Sequence, residues 1–248
     1  MIDMHCHILP EIDDGAKTVE VSIEMLREEK RQGVKSVVFT PHYNFERRSI
    51  EAFCQIREES LQKLKKTREF LDLMMSVRLG AEVYYSIKLM EQDVRPLCFE
   101  GTKYILIELP TNEKPYGLMH TMTSLINQGY IPILAHIERY PYFEEDPLEL
   151  YELVSRGCLA QVNAGPVTSK VPIVMKYIKW ELAQVISTDC HSMGRRRPNL
   201  KDGMAAVKQK LGEQYSLWLE KNSKSIFSGK YIDIPVIKRP KKIFGTWR

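Results

Sequence analysis

The 248-residue chain has no unbroken apolar stretch approaching the roughly 18 residues that a membrane-spanning helix requires, so no span is expected. Its start, MIDMHCHILP, lacks a basic segment followed by an apolar one. That predicts no secretory signal and a cytoplasmic location. Cysteine is scarce: the five are odd in number and not closely paired, which argues against a disulfide scaffold and for reduced thiols. Thirteen glycines and thirteen prolines are too few for a collagen-like or low-complexity chain. A chain of this length buries roughly 70–75% of its extended surface, enough for one large core.

Excess charge is scarcer than the formal +4 suggests. The last eleven residues, KRPKKIFGTWR, hold Lys238, Arg239, Lys241, Lys242 and Arg248 and no acid. Without those five the body carries 31 basic and 32 acidic residues. Nucleic-acid binding would call for a basic stripe, and a nearly neutral body does not supply one, so no nucleic-acid partner is expected. The chain reads as one domain over 1–230 and a basic tail over 231–248. Such a tail is ordinarily solvated, with weak contact to a membrane surface or an acidic partner as the alternative.

What is present is alternation. Short β-rich apolar runs at 2–8, 36–40, 76–82, 104–109, 131–136, 159–163 and 184–188 are mostly separated by helical patterns. In the first of these patterns, over 18–32, Val19, Ile23 and Leu26 share a face. Thr18 is placed to cap its start and Gly33 to end it. Seven strands alternating with helices predict a parallel sheet with right-handed crossovers. Chemistry-bearing residues at the ends of both the first and last strands favour closure into a TIM-like (β/α)7 barrel.

Histidine is rare, at six residues, but not scattered. His5, His7, His42, His136 and His191 all fall at or just past the C-terminal end of an expected strand, the face where β/α barrels collect catalytic groups. Asp14, Glu82, Glu108 and Asp189 share that location. In a strand, residues i and i+2 point the same way, so His5 pairs with His7 and Asp189 with His191. Cys6 and Cys190, lying between them, should turn away. A donor set of nitrogen and oxygen without thiolate suits Mn²⁺, Fe²⁺ or Zn²⁺. Nine such residues exceed one tetrahedral site, so two or three ions are implied. Singly, each residue has an ordinary explanation as a buried histidine or a helix-capping acid; together, at strand ends, they do not. His120, on an expected helix, is assigned no role. Arg139 beside His136, and Arg196 or Arg197 after His191, are candidates to fork onto phosphate oxygens, with a solvated basic loop as the alternative for Arg195–Arg197. Asp3 shares parity with His5 and is a candidate to orient it.

The strings DMHCHILPEIDDG, TPHYN, GAEVYY, IELP, AHIERY and STDCHSMGRRRPN, in that order, resemble the polymerase and histidinol phosphatase (PHP) superfamily. Within it, the chain is most similar to the manganese-dependent bacterial protein-tyrosine phosphatases of capsule and exopolysaccharide loci, the CpsB/YwqE type. The resemblance runs from residue 1 to about 230 and extends to the basic tail. It implies a distorted seven-stranded barrel and three Mn²⁺ ions. His5, His7, Glu82 and Asp189 would hold the first. Glu82, Glu108 and His136 would hold the second, and Asp14, His42 and His191 the third. Hydrolysis would use metal-bound hydroxide, and the substrate would be a phosphotyrosine-bearing bacterial tyrosine kinase.

Three other readings remain. A small-molecule phosphatase of the histidinol-phosphate or sugar-phosphate type would use the same ligands. A cysteine-dependent tyrosine phosphatase would use Cys190 and Arg196, which make a Cys-x5-Arg spacing in CHSMGRR; but Arg197 and Pro198 follow where Ser or Thr would be usual, and strand parity turns Cys190 away. A non-catalytic binding module would be expected to have lost ligands, and none is missing.

Overall fold

The structure, a computed structural model, describes residues 1–232 and 237–248. It is an α/β fold built on a curled parallel sheet. β1 (Ile2–Cys6) leads into α1 (Val19–Arg31), whose N-terminus is capped by the Thr18 side chain, as its sequence predicts. The expected strand at 36–40 becomes β2 (Ser36–Phe39) and β3 (His42–Tyr43), parted at Pro41, which has no N–H to give to a ladder. Helices α2 (Ile50–Lys65) and α3 (Arg68–Leu73) follow. The expected strand at 76–82 likewise becomes β4 (Ser76–Leu79) and β5 (Glu82–Tyr84), parted at Gly80, where an added Cβ would lie 2.7 Å from the Phe99 ring.

β6 (Tyr104–Glu108), α4 (Leu118–Asn127), β7 (Ile131–Leu134), α5 (Pro141–Glu145), α6 (Pro147–Ser155) and β8 (Leu159–Asn163) continue the alternation. Then come α7 (Ala164–Thr168), α8 (Pro172–Lys179), β9 (Val185–Ser187), α9 (Leu200–Leu211) and α10 (Glu213–Phe227). The expected count of seven strands therefore does not hold as stated. Among the described residues, nine short parallel strands form a three-stranded sheet, β1-β2-β4, and a six-stranded one, β3-β5-β6-β7-β8-β9.

The two outer ends meet. Cys6 and Cys190 form a parallel bridge, His7 N–H donates to the Cys190 carbonyl at 2.9 Å, and Asp189 N–H donates to the His5 carbonyl at 2.8 Å. Inside the curl lies a small apolar cluster that includes Met4, Val38, Leu106, Ile133, Leu159 and Val185; the larger cluster lies between sheet and helices. Ile2 and Met4 belong to the inner cluster, so plain alternation would send His5 outward. A register shift between Asp3 and Cys6 resets the strand, and His5 and His7 come to share the inner side.

The tail, expected to be solvated, is anchored at a few points, while most of its described residues stay exposed. Lys238 reaches Glu181 at 3.1 Å, Pro240 is buried, and Trp247 Nε1 donates to the Glu145 carbonyl at 3.0 Å. A minimal antiparallel hairpin, β10 (Lys242–Ile243) with β11 (Thr246–Trp247), ends the chain.

One acid is buried in the core. Glu29 on α1 is fully buried, its Oε1 3.9 Å from Cys190 Sγ and its Oε2 without a hydrogen-bond partner. Burial pushes its carboxyl well above the usual glutamate range, and the neighbouring Asp3 adds to the shift. Asp3 is itself raised by burial, but donors from Thr188 pull it back, so the proton is assigned to Glu29. A group protonated in the folded state and ionised in the unfolded one stabilises the fold at acid pH. That contribution is lost as pH rises through its raised value. Urea unfolding across pH 5 to about 8 should therefore show wild type weakening relative to Glu29→Gln, by about 1.4 kcal/mol per pH unit while the proton difference lasts. Parallel curves would refute the assignment.

Candidate metal centre

The nine residues singled out by their positions at strand ends converge on one end of the curled sheet. His5 Nε2 and His7 Nε2 lie 3.2 Å apart, and each is 3.2 Å from Glu82 Oε2. Asp189 Oδ1 completes this group at 3.4 Å from His5 and 3.5 Å from His7. Beside it, His136 Nε2 is 2.8 Å from Glu82 Oε1 and 3.6 Å from Glu108 Oε1. His42 stands between two groups: Nδ1 is 3.0 Å from Glu82 Oε2 and 3.7 Å from Glu108 Oε2, while Nε2 is 3.4 Å from Asp14 Oδ1. His191 Nε2 reaches the same Asp14 oxygen at 3.3 Å.

Local backbone explains the convergence. β3 pairs with β5 in a register that sets His42 directly beside Glu82, and β5 with β6 so that Tyr84 lies beside Glu108. His136 and Asp189 lie beyond their strands at φ 30° and φ 53°, a left-handed backbone that costs energy for a residue with a side chain. This corrects the simple parity argument for Asp189 and His191. β9 stops at Ser187, so the turn at Asp189, rather than strand alternation, brings both side chains in. Cys6 and Cys190 point away from the group, Cys6 Sγ donating to the Val38 carbonyl at 3.4 Å and Cys190 Sγ toward Glu29.

The donor set fits divalent cations. Glu82 Oε2 and His191 Nε2 are buried without a hydrogen-bond partner, although histidine nitrogens crowd the former. Asp13, Glu82, Glu108 and Asp189 bring carboxylates together where little water reaches, and the exposed Asp14 adds a fifth at the edge. Burial and the Glu82 charge raise the Glu108 carboxyl to about 7. Burial would lower His5, but the charges of Glu82 and Asp189 outweigh it and raise it. His191 instead falls to about 3, through burial and the charge of His7. Anionic crowding that forces protons onto neighbouring histidines is the electrostatic setting that bound cations relieve.

Several supporting residues were not legible as such. His7 Nδ1 is held by Asp13 at 2.7 Å, and His5 Nδ1 by Gln161 Oε1 at 3.1 Å. Gln161 Oε1 also accepts from His136 N–H at 2.8 Å, and Gln161 Nε2 donates to Asn163 Oδ1, whose Nδ2 donates to Asp189 at 2.9 Å. The available signal was a pair of amides two apart in the otherwise apolar strand LAQVN. Tyr140 Oη lies 3.2 Å from His136 Nδ1. Gly15 packs so tightly under His7 that an added Cβ would lie 2.1 Å from the His7 carbonyl oxygen. Asp3 acts through the main chain instead of the ring, accepting from Thr188 N–H at 3.0 Å and His5 N–H at 3.4 Å.

The arginines divide. Arg139 donates to Asp189 Oδ2 at 2.6 Å and Arg196 to Asp189 Oδ1 at 2.7 Å. Arg197 is a correction to the sequence reading. The chain folds back so that His191 N–H meets the Arg196 carbonyl, and Arg197 lines a separate small cavity with Glu28, Arg31 and Lys201. His120 is exposed on α4, away from the cluster, lining a different cavity with Tyr116 and Glu149.

Fold and site together define an α/β protein with a candidate metal centre of histidines and carboxylates at the C-terminal ends of its parallel strands. Comparison makes this specific. The family described as "Capsular polysaccharide synthesis, CpsB/CapC" matches residues 1–228, and the chain belongs to that family. It is 31% identical to the tyrosine-protein phosphatase YwqE of Bacillus subtilis over 99% of both chains. It is 30% identical to the tyrosine-protein phosphatase CpsB of Streptococcus pneumoniae, over 86% of this chain and 91% of that protein. A solved structure from work on YwqE and CpsB, described as unique metal-dependent tyrosine phosphatases, superposes with a TM-score of 0.85 at 26% identity, covering 97% of this chain and all of the other.

Losing an outer hydrogen bond to a metal-binding histidine typically costs 10–100-fold in metal affinity. Asp13→Asn, which leaves His7 Nδ1 poorly held, should weaken Mn²⁺ binding by about that factor in equilibrium dialysis with the circular dichroism spectrum unchanged. Gly15→Ala should do at least as much by displacing His7. Unaltered affinity in both would remove His7 from the centre.

Proposed function

We propose that this chain is a cytoplasmic, metal-dependent protein-tyrosine phosphatase that removes phosphate from a bacterial tyrosine kinase governing capsule or exopolysaccharide synthesis. The observation that carries the reading is the convergence of nine nitrogen and oxygen donors, arranged about a shared Glu82, in a chain whose relatives bear that activity in their names. No helix among the described residues is long and apolar enough to cross a membrane. The finer assignments belong to the same reading. The metals are two or three Mn²⁺ ions, and the ligand groups are His5, His7, Glu82 and Asp189; Glu82, Glu108 and His136; and Asp14, His42 and His191. With each split strand counted once, the fold is a distorted seven-stranded barrel over 1–230, followed by the basic segment 231–248.

Bound divalent ions would supply Lewis acidity toward phosphate oxygens and lower the pKa of water. The protein's own residues do the rest. Five carboxylates would repel a phosphate dianion, so the site is built to receive substrate only after they are compensated. Arg139 and Arg196 each spend one terminal nitrogen on Asp189, leaving further N–H donors of each planar fork for phosphate oxygens at the mouth. Gln161 and Asn163 lock the ring of His5 and the carboxylate of Asp189, so little reorganisation is left for the reaction. A phenolic leaving group, with a pKa of about 10, needs less help from an acid than an alkoxide does.

Turnover of a phosphotyrosine peptide should vanish on chelation, return with Mn²⁺ and survive Cys190→Ser. His136→Ala should cost more than the roughly 100-fold associated with losing only an outer hydrogen bond to a ligand. Loss of activity in Cys190→Ser with metals retained would overturn the metal mechanism. A preference for histidinol phosphate or sugar phosphates over every phosphopeptide would replace the protein substrate by a metabolite.

A further inference from the structure

The cavity over the candidate centre is far larger than the centre itself. It measures about 670 Å³, in the range of sites that enclose whole ligands, and is lined by Asp14, His42 and Glu108 on the metal side. On its other side it is lined by Arg47 and Arg48, which follow β3, with Tyr84 among the remaining walls. The two arginines have no assignment in the chemistry above.

Their electrostatic state is distinct from that of Arg139 and Arg196, which are held by Asp189. Arg47 and Arg48 are exposed, and among the described residues neither has an ion-pair partner. The adjacent Glu46 is taken by Lys88 at 2.8 Å, and Asp14 faces His42 and His191. The segment that carries them is tied down. Asn44 Oδ1 accepts from Glu46 N–H at 2.8 Å, and Arg47 N–H donates to the Asn44 carbonyl at 3.0 Å. Tyr43 Oη donates to the Arg48 carbonyl at 3.3 Å, and Ser49 caps α2. Tyr43 itself is buried between Phe45 and Phe53, with ring centroids 5.0 and 4.9 Å away. Two unpaired guanidinium groups on a held loop, facing the cavity that would receive the phosphoryl group, form a preorganised anion-binding rim.

We infer that Arg47 and Arg48 form a specificity subsite that binds a second anionic group of the substrate, next to the phosphotyrosine being hydrolysed. The inference rests on the phosphatase reading above and names the substrate class it favours: phosphotyrosine segments with a neighbouring oxyanion. Guanidinium forks take carboxylate and phosphate with the same geometry, so the neighbour is either an acidic side chain or a second phosphotyrosine.

Three peptides of equal length test this: one phosphotyrosine with neutral flanks, one with flanking glutamates, and one with a second phosphotyrosine. Fluorescence anisotropy with the non-hydrolysable phosphonomethyl-phenylalanine versions reads binding to Mn²⁺-loaded protein, and kcat/KM on the phosphopeptides reads turnover. Exposed pairs are individually weak, so wild type should favour an anionic-flank peptide by about three- to tenfold in affinity, with the gain appearing in KM and shrinking in high salt. In R47Q/R48Q the ratio should fall to about one, and in R47K/R48K it should be partly kept. The glutamate and doubly phosphorylated arms show which oxyanion the rim prefers. Equal affinity of wild type for all three peptides would overturn the inference, as would a preference that survives R47Q/R48Q or an equal loss on neutral and anionic peptides. Failure of the phosphatase reading is separately visible, as absent turnover of every phosphopeptide, while the anisotropy ratio still decides the subsite.

Discussion

A buried carboxylate with an oxygen that no hydrogen bond satisfies is the constraint around which this molecule is organised. Glu82 lies among His5, His7, His42 and His136, and its charge is held well below the usual protonation range by them despite full burial. Burying such a charge unpaired costs several kcal/mol. The surroundings therefore have to present positive charge, as protonated rings or as bound cations. Glu108, His5, His7 and His42 shift upward beside it, and Asp189 stays ionised between His5, His7 and two arginines.

The fold supplies the geometry that makes this tolerable. Six strands deliver ligands to one end, and the apolar cluster beneath them closes the other side against water. The strap between β1 and the segment at 189–190 ties the first and last strands together through main-chain hydrogen bonds. The two halves of the first ligand group are thus held by backbone, not by side-chain packing alone. Left-handed conformations at His136 and Asp189 are the local cost of aiming side chains inward after a strand has ended. β8 contributes no proposed ligand, yet Gln161 and Asn163 lock three of them, which explains why polar side chains occupy its inner face.

Around this centre, charge is used at three distances. Carboxylates and histidines meet in the interior, Arg139 and Arg196 grip Asp189 at its edge, and Arg47 and Arg48 stand across the cavity with no ion-pair partner among the described residues. The basic C-terminal segment belongs to none of these. Its described part is fixed elsewhere, through Lys238 on Glu181 and Trp247 on the Glu145 carbonyl, so the formal +4 of the chain is largely a property of a strap on the outside of the body.

Much of this was readable from sequence because two periodicities are local. Alternating apolar runs and helices determined a parallel α/β fold, and histidines and acids placed just after those runs determined which residues would meet, since strand ends in such folds share one face. The nitrogen and oxygen donor set followed directly from residue identity. Other features needed the tertiary structure. Pro41 and Gly80 interrupt two strands, and at Gly80 the Phe99 ring, from a later segment, leaves no room for a side chain. The register shift in β1 belongs to its pairing with β2, and the left-handed turn at Asp189 lies where β1 meets the segment at 189–190, so parity counting reached the right residues through an incomplete geometric argument. Arg196 and Arg197 are neighbours in sequence, but a reversal of the chain sends Arg196 to Asp189 and Arg197 to a separate cavity. Asp13 and Gly15 acquire their roles from a loop that folds back on His7, and Gln161 and the Arg47–Arg48 rim from residues far along the chain or across the cavity, none of which strand or helix periodicity specifies. Local periodicity decides which face a residue is on; packing between distant segments decides what that residue touches.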